Sequence, residues 1–360
     1  MSDLIQELEK ERKNIKTDHY SMSIGEIVNL YKEGDIKLDP AFQRLFRWSD
    51  EQKTRFIESV LLGIPIPEIF VAQLADGKWV VVDGVQRIST ILQLMGELTG
   101  REPLMMTAAK YLPSLKDNTW ETLPVEAQRV FKRGKFGINI ILTENSVQAQ
   151  YELFQRLNTG GLHLEDQEIR NCLIIMVDPN FHEKLDKLKT HPSFEQTVQL
   201  NPRRIHEEYH MELILRYFIA KHGNIDYSQY SLNTTHIRDF FDQETIRLMN
   251  DPGFDLDREI ELFKETFDWL NSRIGDKAFQ KYNPTKDRFE GGFSNAAYEV
   301  VLTGIGLFFD RVKTYTREEL VKKIEGIYRD PFVIGNTRAG IKALVRFKEL
   351  TEFSKKYFSI

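Results

Sequence analysis

Apolar residues recur with two different periods along this chain, and the change of period marks its organisation. In the first half, short β-branched runs alternate with helical segments. "SIGEIVNLYKEG" carries a capping box, Ser23 with Glu26, and ends at Gly34. "SDEQKTRFIESVLLG" repeats the device, with Ser49 as cap, Gln52 three residues on and Gly63 as the stop. "EIFVAQ" and "KWVVVD", joined by Ala75-Asp76-Gly77, predict a β-hairpin, and "INIIL", Ile138 to Leu142, predicts another strand. "SVQAQYELFQRLN" predicts a helix capped by Ser146 and running into Thr159-Gly160-Gly161. Beyond about Glu165 strand signals almost vanish, and helical periodicity recurs at 165–176, 205–221, 235–249, 257–274, 293–310, 317–328 and 339–357. The expectation is an α+β chain: an α/β domain over residues 1–164, then a helical domain over 165–360.

One stretch changes period in its middle. In "KWVVVDGVQRISTILQL", Trp79 to Val82 has the composition of a strand buried on both faces, and from Ile88 the spacing turns helical. Between them stand Asp83, Gly84, Gln86 and Arg87, with Val85 as the only aliphatic. As a plain turn, Asp-Gly is common and Asp83 would cap the helix. As a site, a helix N-terminus beyond the carboxyl end of a strand suits an anion. Gly84 would allow close backbone approach, and Arg87 would fork onto phosphate.

Composition narrows the class. Hydrophobic residues at 41% and charged residues at 29% describe an ordinary soluble protein, and the length favours two domains. The net charge of −5 excludes a generally basic nucleic-acid coat while leaving room for a local basic cleft. The single cysteine, Cys172, lies among apolar neighbours in "EIRNCLIIM" and reads as a core residue in a chain suited to a reducing cytoplasm. No apolar run approaches membrane-spanning length, and "MSDLIQELEKERKN" reads as a charged helix rather than a signal peptide.

Four segments, in this order and spacing, carry a resemblance: "PAFQRLFRW", "FIESVLLGIPIPEIF", "VVDGVQRIST" and "ELFQRLNTGGLHLEDQEIR". Over roughly residues 20–220 the chain resembles the DGQQR-motif domain of prokaryotic defence proteins, the nucleotide-binding part of GmrSD-type modification-dependent restriction systems. That family is related in fold to the ParB and sulfiredoxin superfamily. The chain departs from the motif at Val85, which stands where the family usually has its first glutamine and which cannot hydrogen-bond a nucleotide. The resemblance implies that Asp83, Gln86 and Arg87 act on a nucleoside triphosphate held with Mg²⁺. It assigns nucleotide binding to Arg44, Gly84, Ser89, Thr90, Arg156, Asn158, Thr159, Gly160 and Gly161. Asp83 would hold Mg²⁺, position a water, or only orient Arg87; these roles stay open. The implied function is an NTP-binding and NTP-hydrolysing component of a bacterial anti-phage or modification-dependent restriction system. It would couple its nucleotide state to DNA recognition or to a nuclease partner. A non-hydrolysing nucleotide-dependent switch and a ParB-like DNA nuclease are the alternatives.

Three further patterns compete for attention. "HEEYH", His206 to His210, matches the H-E-x-x-H pattern of zinc proteases, although the resemblance places a helix without metal chemistry here. "GNTRAGIK", Gly335 to Lys342, mimics a phosphate loop, but its lysine comes one residue late and neither Ser nor Thr follows; a turn before the last helix is the better reading. "RVFKRGK", Arg129 to Lys135, is the densest basic cluster, read as a solvated loop or a DNA contact. Residues 220–360 show no HNH nuclease pattern, so a partner chain is expected to cut DNA.

Overall fold

The computed structural model describes residues 4, 16–38, 48–74, 76–142, 166–222 and 225–359. The chain divides into two compact units, Met1–Leu164 and Glu165–Ile360.

In the first unit the described elements are β1 (Thr17–Ser23), α1 (Ile24–Glu33), β2 (Ile36–Lys37), α2 (Asp50–Leu61), β3 (Ile69–Gln73), β4 (Trp79–Asp83), α3 (Val85–Leu94), α4 (Val125–Arg133) and β5 (Lys135–Ile141). They build a mixed sheet in the order β1-β5-β3-β4-β2. The expected hairpin is β3–β4, antiparallel, with a register shift between Phe70 and Val71. β5 runs parallel to β3 and antiparallel to β1. Val80, Val81 and Val82 are all buried, so β4 is covered on both faces, as its unbroken β-branched run requires.

Local chemistry sets the helix ends. Ser49 and Gln52 close a full capping box on α2. Ser23 caps α1 through the Glu26 N–H, and Gly34 ends that helix at φ +79°. The Glu26 carboxylate accepts from the Tyr20 hydroxyl at 3.2 Å.

Two features depart from the sequence reading. β1, "TDHYSMS", is mostly exposed and carries no apolar alternation; its seven-residue pairing with β5 makes it a strand. The basic cluster is not a loop either. Arg129 to Arg133 form the end of α4, which is anchored by Phe131 at 0% exposure. The N-terminal charged segment apart from Leu4, the segment with Arg44, and the helix expected at 146–158 lie outside the described residues.

The second unit's described helices are α5 (Asp166–Val177), α6 (Pro179–Leu188), α7 (Pro192–Val198), α8 (Pro202–His206), α9 (Tyr209–His222), α10 (Ile237–Met249), α11 (Leu256–Arg273), α12 (Asn295–Leu307), α13 (Phe309–Val312), α14 (Arg317–Arg329), α15 (Pro331–Asn336) and α16 (Ala343–Phe358). It is not purely helical: β6 (Lys281–Asn283) and β7 (Arg288–Glu290) form a small antiparallel hairpin. Its core is aromatic, with Phe194, Phe218, Phe263, Phe267 and Phe279 buried together. α12 approaches α16 closely at Gly304, whose N–H donates to Ser354 Oγ at 2.7 Å. A Cβ there would fall 2.2 Å from the Phe358 ring, so only glycine fits that contact. Cys172 is a core residue, 1% exposed.

Candidate functional site

β4 leaves the core at Asp83, where side-chain exposure rises to 34%. Gly84 then turns with φ +94° and becomes the N-cap of α3. A Cβ at Gly84 would lie 2.9 Å from Ile69 Cγ1 and 3.3 Å from Arg87 Nη2, so both the backbone and the packing call for glycine. No side chain caps α3, whereas serines cap α1 and α2. The expectation that Asp83 caps this helix is therefore corrected.

Asp83 has another partner. Its Oδ2 accepts from Arg87 Nη2 at 2.9 Å. Arg87 Nη1 donates to the carbonyls of Pro67 and Glu68, the latter at 3.0 Å. One guanidinium thus ties the end of β4, the first turn of α3 and the proline-bearing entrance to β3. Burial lowers the pKa of Arg87, while the Asp83 carboxylate pulls it the other way. Of the three roles open to Asp83, the observed contact is the orientation of Arg87.

Gln86 Oε1 accepts from the Trp48 N–H at 3.2 Å, which ties α3 to the start of α2. Ser89 and Thr90 are fully buried, and the Thr90 hydroxyl donates to the Gln86 carbonyl. Neither hydroxyl reaches the surface, and Ser89 Oγ has no hydrogen-bond partner. Arg44, Arg156, Asn158, Thr159, Gly160 and Gly161 lie outside the described residues.

A polar relay that sequence reasoning missed adjoins this corner. Asn139 on β5 donates to Glu68 Oε2 at 2.5 Å, and its Oδ1 lies 3.2 Å from His19 Nδ1 on β1. A carboxylate only accepts, so the Asn139 amide must donate to it, leaving Oδ1 toward the ring and the proton on Nδ1. A Cβ at Gly137 would meet both His19 and Glu68 within 3.0 Å, so glycine lets the two side chains close over β5. Two strands, β1 and β5, and the residue just before β3 supply these side chains, and no local motif announces them.

The other patterns resolve on geometry. His206 ends α8 and His210 belongs to α9, with Glu208 at φ +56° between them, so H-E-x-x-H does not form one helical turn. Glu207 pairs with Arg203, and His210 packs edge-on against Phe194. Among the described residues no group of three or more His, Cys, Asp or Glu side chains is placed to hold a metal. The phosphate-loop mimic contains the end of α15 and a turn before α16. The second unit also has an open cleft of about 560 Å³ lined in part by Lys221, His222, Arg258, Glu259 and Arg311. There Lys221 and His222 both turn to the Glu259 carboxylate.

The fold and this strand end define an α+β protein with a DGVQR corner between a buried strand and an uncapped helix. Residues 24–175 match the family described as the GmrSD restriction endonuclease, N-terminal domain. Over these residues, less than half of its length, the chain is similar to that N-terminal domain, which links it to restriction systems. Comparison with curated proteins and with solved structures gave no match. No helix among the described residues is long and apolar enough to cross a membrane.

Proposed function

We propose that the chain is the nucleotide-responsive component of a phage-defence restriction system. It binds and hydrolyses a nucleoside triphosphate with Mg²⁺ at the end of β4, and passes its nucleotide state to DNA recognition or to a nuclease partner. The observation that carries this reading is the start of α3, where a glycine in the left-handed region leaves the helix without a capping side chain. Free N–H groups and the positive end of the helix dipole favour phosphate oxygens at such a place.

The residues present fit the group. Asp83 keeps a partly exposed carboxylate at the strand end, a hard oxygen of the kind Mg²⁺ takes, usually as one or two carboxylates beside substrate phosphates. The metal, when bound, would neutralise charge on the phosphate oxygens. Arg87 is a positioning residue in this reading, holding Asp83 and the Pro67–Glu68 rim. By the resemblance, Arg44 and residues 158–161, which lie outside the described residues, would also contact the phosphates.

A second reading has its own support. Val85, at the motif position that departs from the family, is an apolar side chain 8% exposed, and the Arg87 guanidinium is already engaged. Both facts favour a switch that holds nucleotide without turnover.

Incubation with each of the four NTPs and Mg²⁺, with and without DNA, separates the two. Hydrolysis predicts steady phosphate release that Asp83→Asn abolishes, whereas the switch predicts retained nucleotide and no phosphate. Calorimetry showing that no NTP binds the folded wild type would end both readings.

A further inference from the structure

The basic cluster of the first unit takes a defined shape on α4. Arg129, Lys132 and Arg133 stand at i, i+3 and i+4, one face of the helix, and Lys135 follows at the start of β5. All four are exposed, and no carboxylate pairs with any of them among the described residues. In the second unit Lys187, Lys264, Lys286 and Lys313, by contrast, each pair with an acid three or four residues away.

The bland explanation is the helix dipole, which favours cations in a last turn. It covers Lys132 and Arg133. It does not cover Arg129, a turn earlier, or Lys135, which lies beyond the helix. Like charges at i, i+3 and i+4 also repel one another, so the stripe opposes helix formation unless an anion neutralises it. Beside it Trp120 is fixed by its packing on Phe131 and by the Gln128 bond to its carbonyl, and Lys132 Nζ lies 5.5 Å from its ring centroid.

We propose that the Arg129–Lys132–Arg133–Lys135 stripe is a contact surface for the phosphate backbone of duplex DNA. The inference rests on the reading of the chain as a restriction component that meets DNA, and it says where the first unit does so. In a chain of net charge −5, a local row of uncompensated cations concentrates the attraction on one face. A row of separate guanidinium and ammonium groups matches phosphates repeated along a strand and carries no base specificity.

The test uses the full chain and a fluorescein-labelled duplex of about 20 base pairs, with affinity measured against salt. The variant replaces Arg129, Lys132, Arg133 and Lys135 by alanine, a strong helix former, with melting and circular dichroism as the check on folding. The expected result is at least about tenfold weaker binding near 0.1 M salt, with a salt slope smaller by about three to four. Glu126→Gln, removing an acid beside the stripe, should tighten binding. A folded variant with wild-type affinity and slope overturns the inference alone. So does a labelled poly-glutamate that needs the four cations while duplex binding does not, which would make the stripe a surface for an acidic polypeptide. Wild type that binds no duplex in any nucleotide state overturns both this inference and the DNA side of the proposed function.

Discussion

At the end of β4, Arg87 stands at a half-open corner and spends its donors on one carboxylate and two backbone carbonyls. In the second unit, Arg170 and Arg216 are 1% and 5% exposed and sit among Asp242, Glu212 and Glu299. Arg170 Nε donates to Asp242 Oδ1 at 2.7 Å, while Arg216 bonds Glu212 at 2.6 Å and Glu299 at 2.7 Å. Arg346 joins Glu299 from α16, so three guanidinium groups meet three carboxyl groups. Burial alone would raise the pKa of Glu212, but Arg216 and Arg170 hold it below the usual carboxylate range. The guanidinium of Arg216 also lies 4.4 Å from the Phe241 ring centroid. The comparison teaches that an arginine–carboxylate pair is not by itself a site. The buried network draws its partners from four helices, α5, α9, α10 and α12, with α16 at its margin, and leaves only Asp242 Oδ2 of the bonded carboxylates named here without a partner. The corner at Asp83 has a lining that continues to solvent.

The largest expected effect tests the buried side of this contrast. Arg216→Met leaves Glu212 and Glu299 without their shared partner, and breaking a buried network in this way costs about 3–5 kcal/mol. Denaturant unfolding followed through Trp269, the only tryptophan of residues 165–360, should show that loss. A change below about 1 kcal/mol would mean that water reaches the network, and the contrast with Arg87 would fail.

A smaller effect concerns pH. Burial, with a lesser push from Lys189, lowers the His210 pKa to about 4. An unfolded histidine titrates near about 6.5, so between those values the unfolded chain binds more protons than the folded one. Stability is then fully present above about pH 6.5 and falls as pH drops toward about 4, by on the order of 2–3 kcal/mol. His210→Gln should flatten that part of the profile. An identical slope in the variant would assign the acid sensitivity to other groups.

Next comes the strand end. Gly84→Ala forces a side chain into the left-handed region and against Ile69, costing about 1–2 kcal/mol of first-unit stability. If the start of α3 holds phosphate, the same change should weaken NTP binding well beyond that stability loss. Equal NTP affinity in wild type and variant would leave Gly84 as a packing glycine. The smallest effect belongs to the α4 stripe. Alanine at Arg129 or Lys135 should change the melting free energy by less than about 0.5 kcal/mol, as for exposed residues with no partner. A clear destabilisation would show that these cations serve the fold.

Much of the first unit was legible because its signals are local. Ser49 and Gln52 announce a helix start within four residues, and the valines at 80–82 announce a strand covered on both faces. The DGVQR corner was visible for the same reason: the strand, the glycine and the helix are consecutive. β1 was not visible, since an exposed polar segment becomes a strand only when β5 offers it backbone partners. The Asn139 link between His19 and Glu68 was hidden likewise, because it exists only across a sheet.

By itself, then, the sequence determined the places where the chain starts, stops and turns. Capping, glycine conformation and β-branching act over a few residues and need no knowledge of the rest. It also carried the likeness of residues 24–175 to the GmrSD N-terminal domain, through motifs whose order survives without a structure. The tertiary structure alone decided what each charged side chain meets. Arg87 reaches a carbonyl 20 residues away, and Arg216 reaches a glutamate 83 residues away. Whether a guanidinium is a staple, a buried ion pair or an open cation depends on the partners and the water around it, and neither is set by its neighbours in the chain.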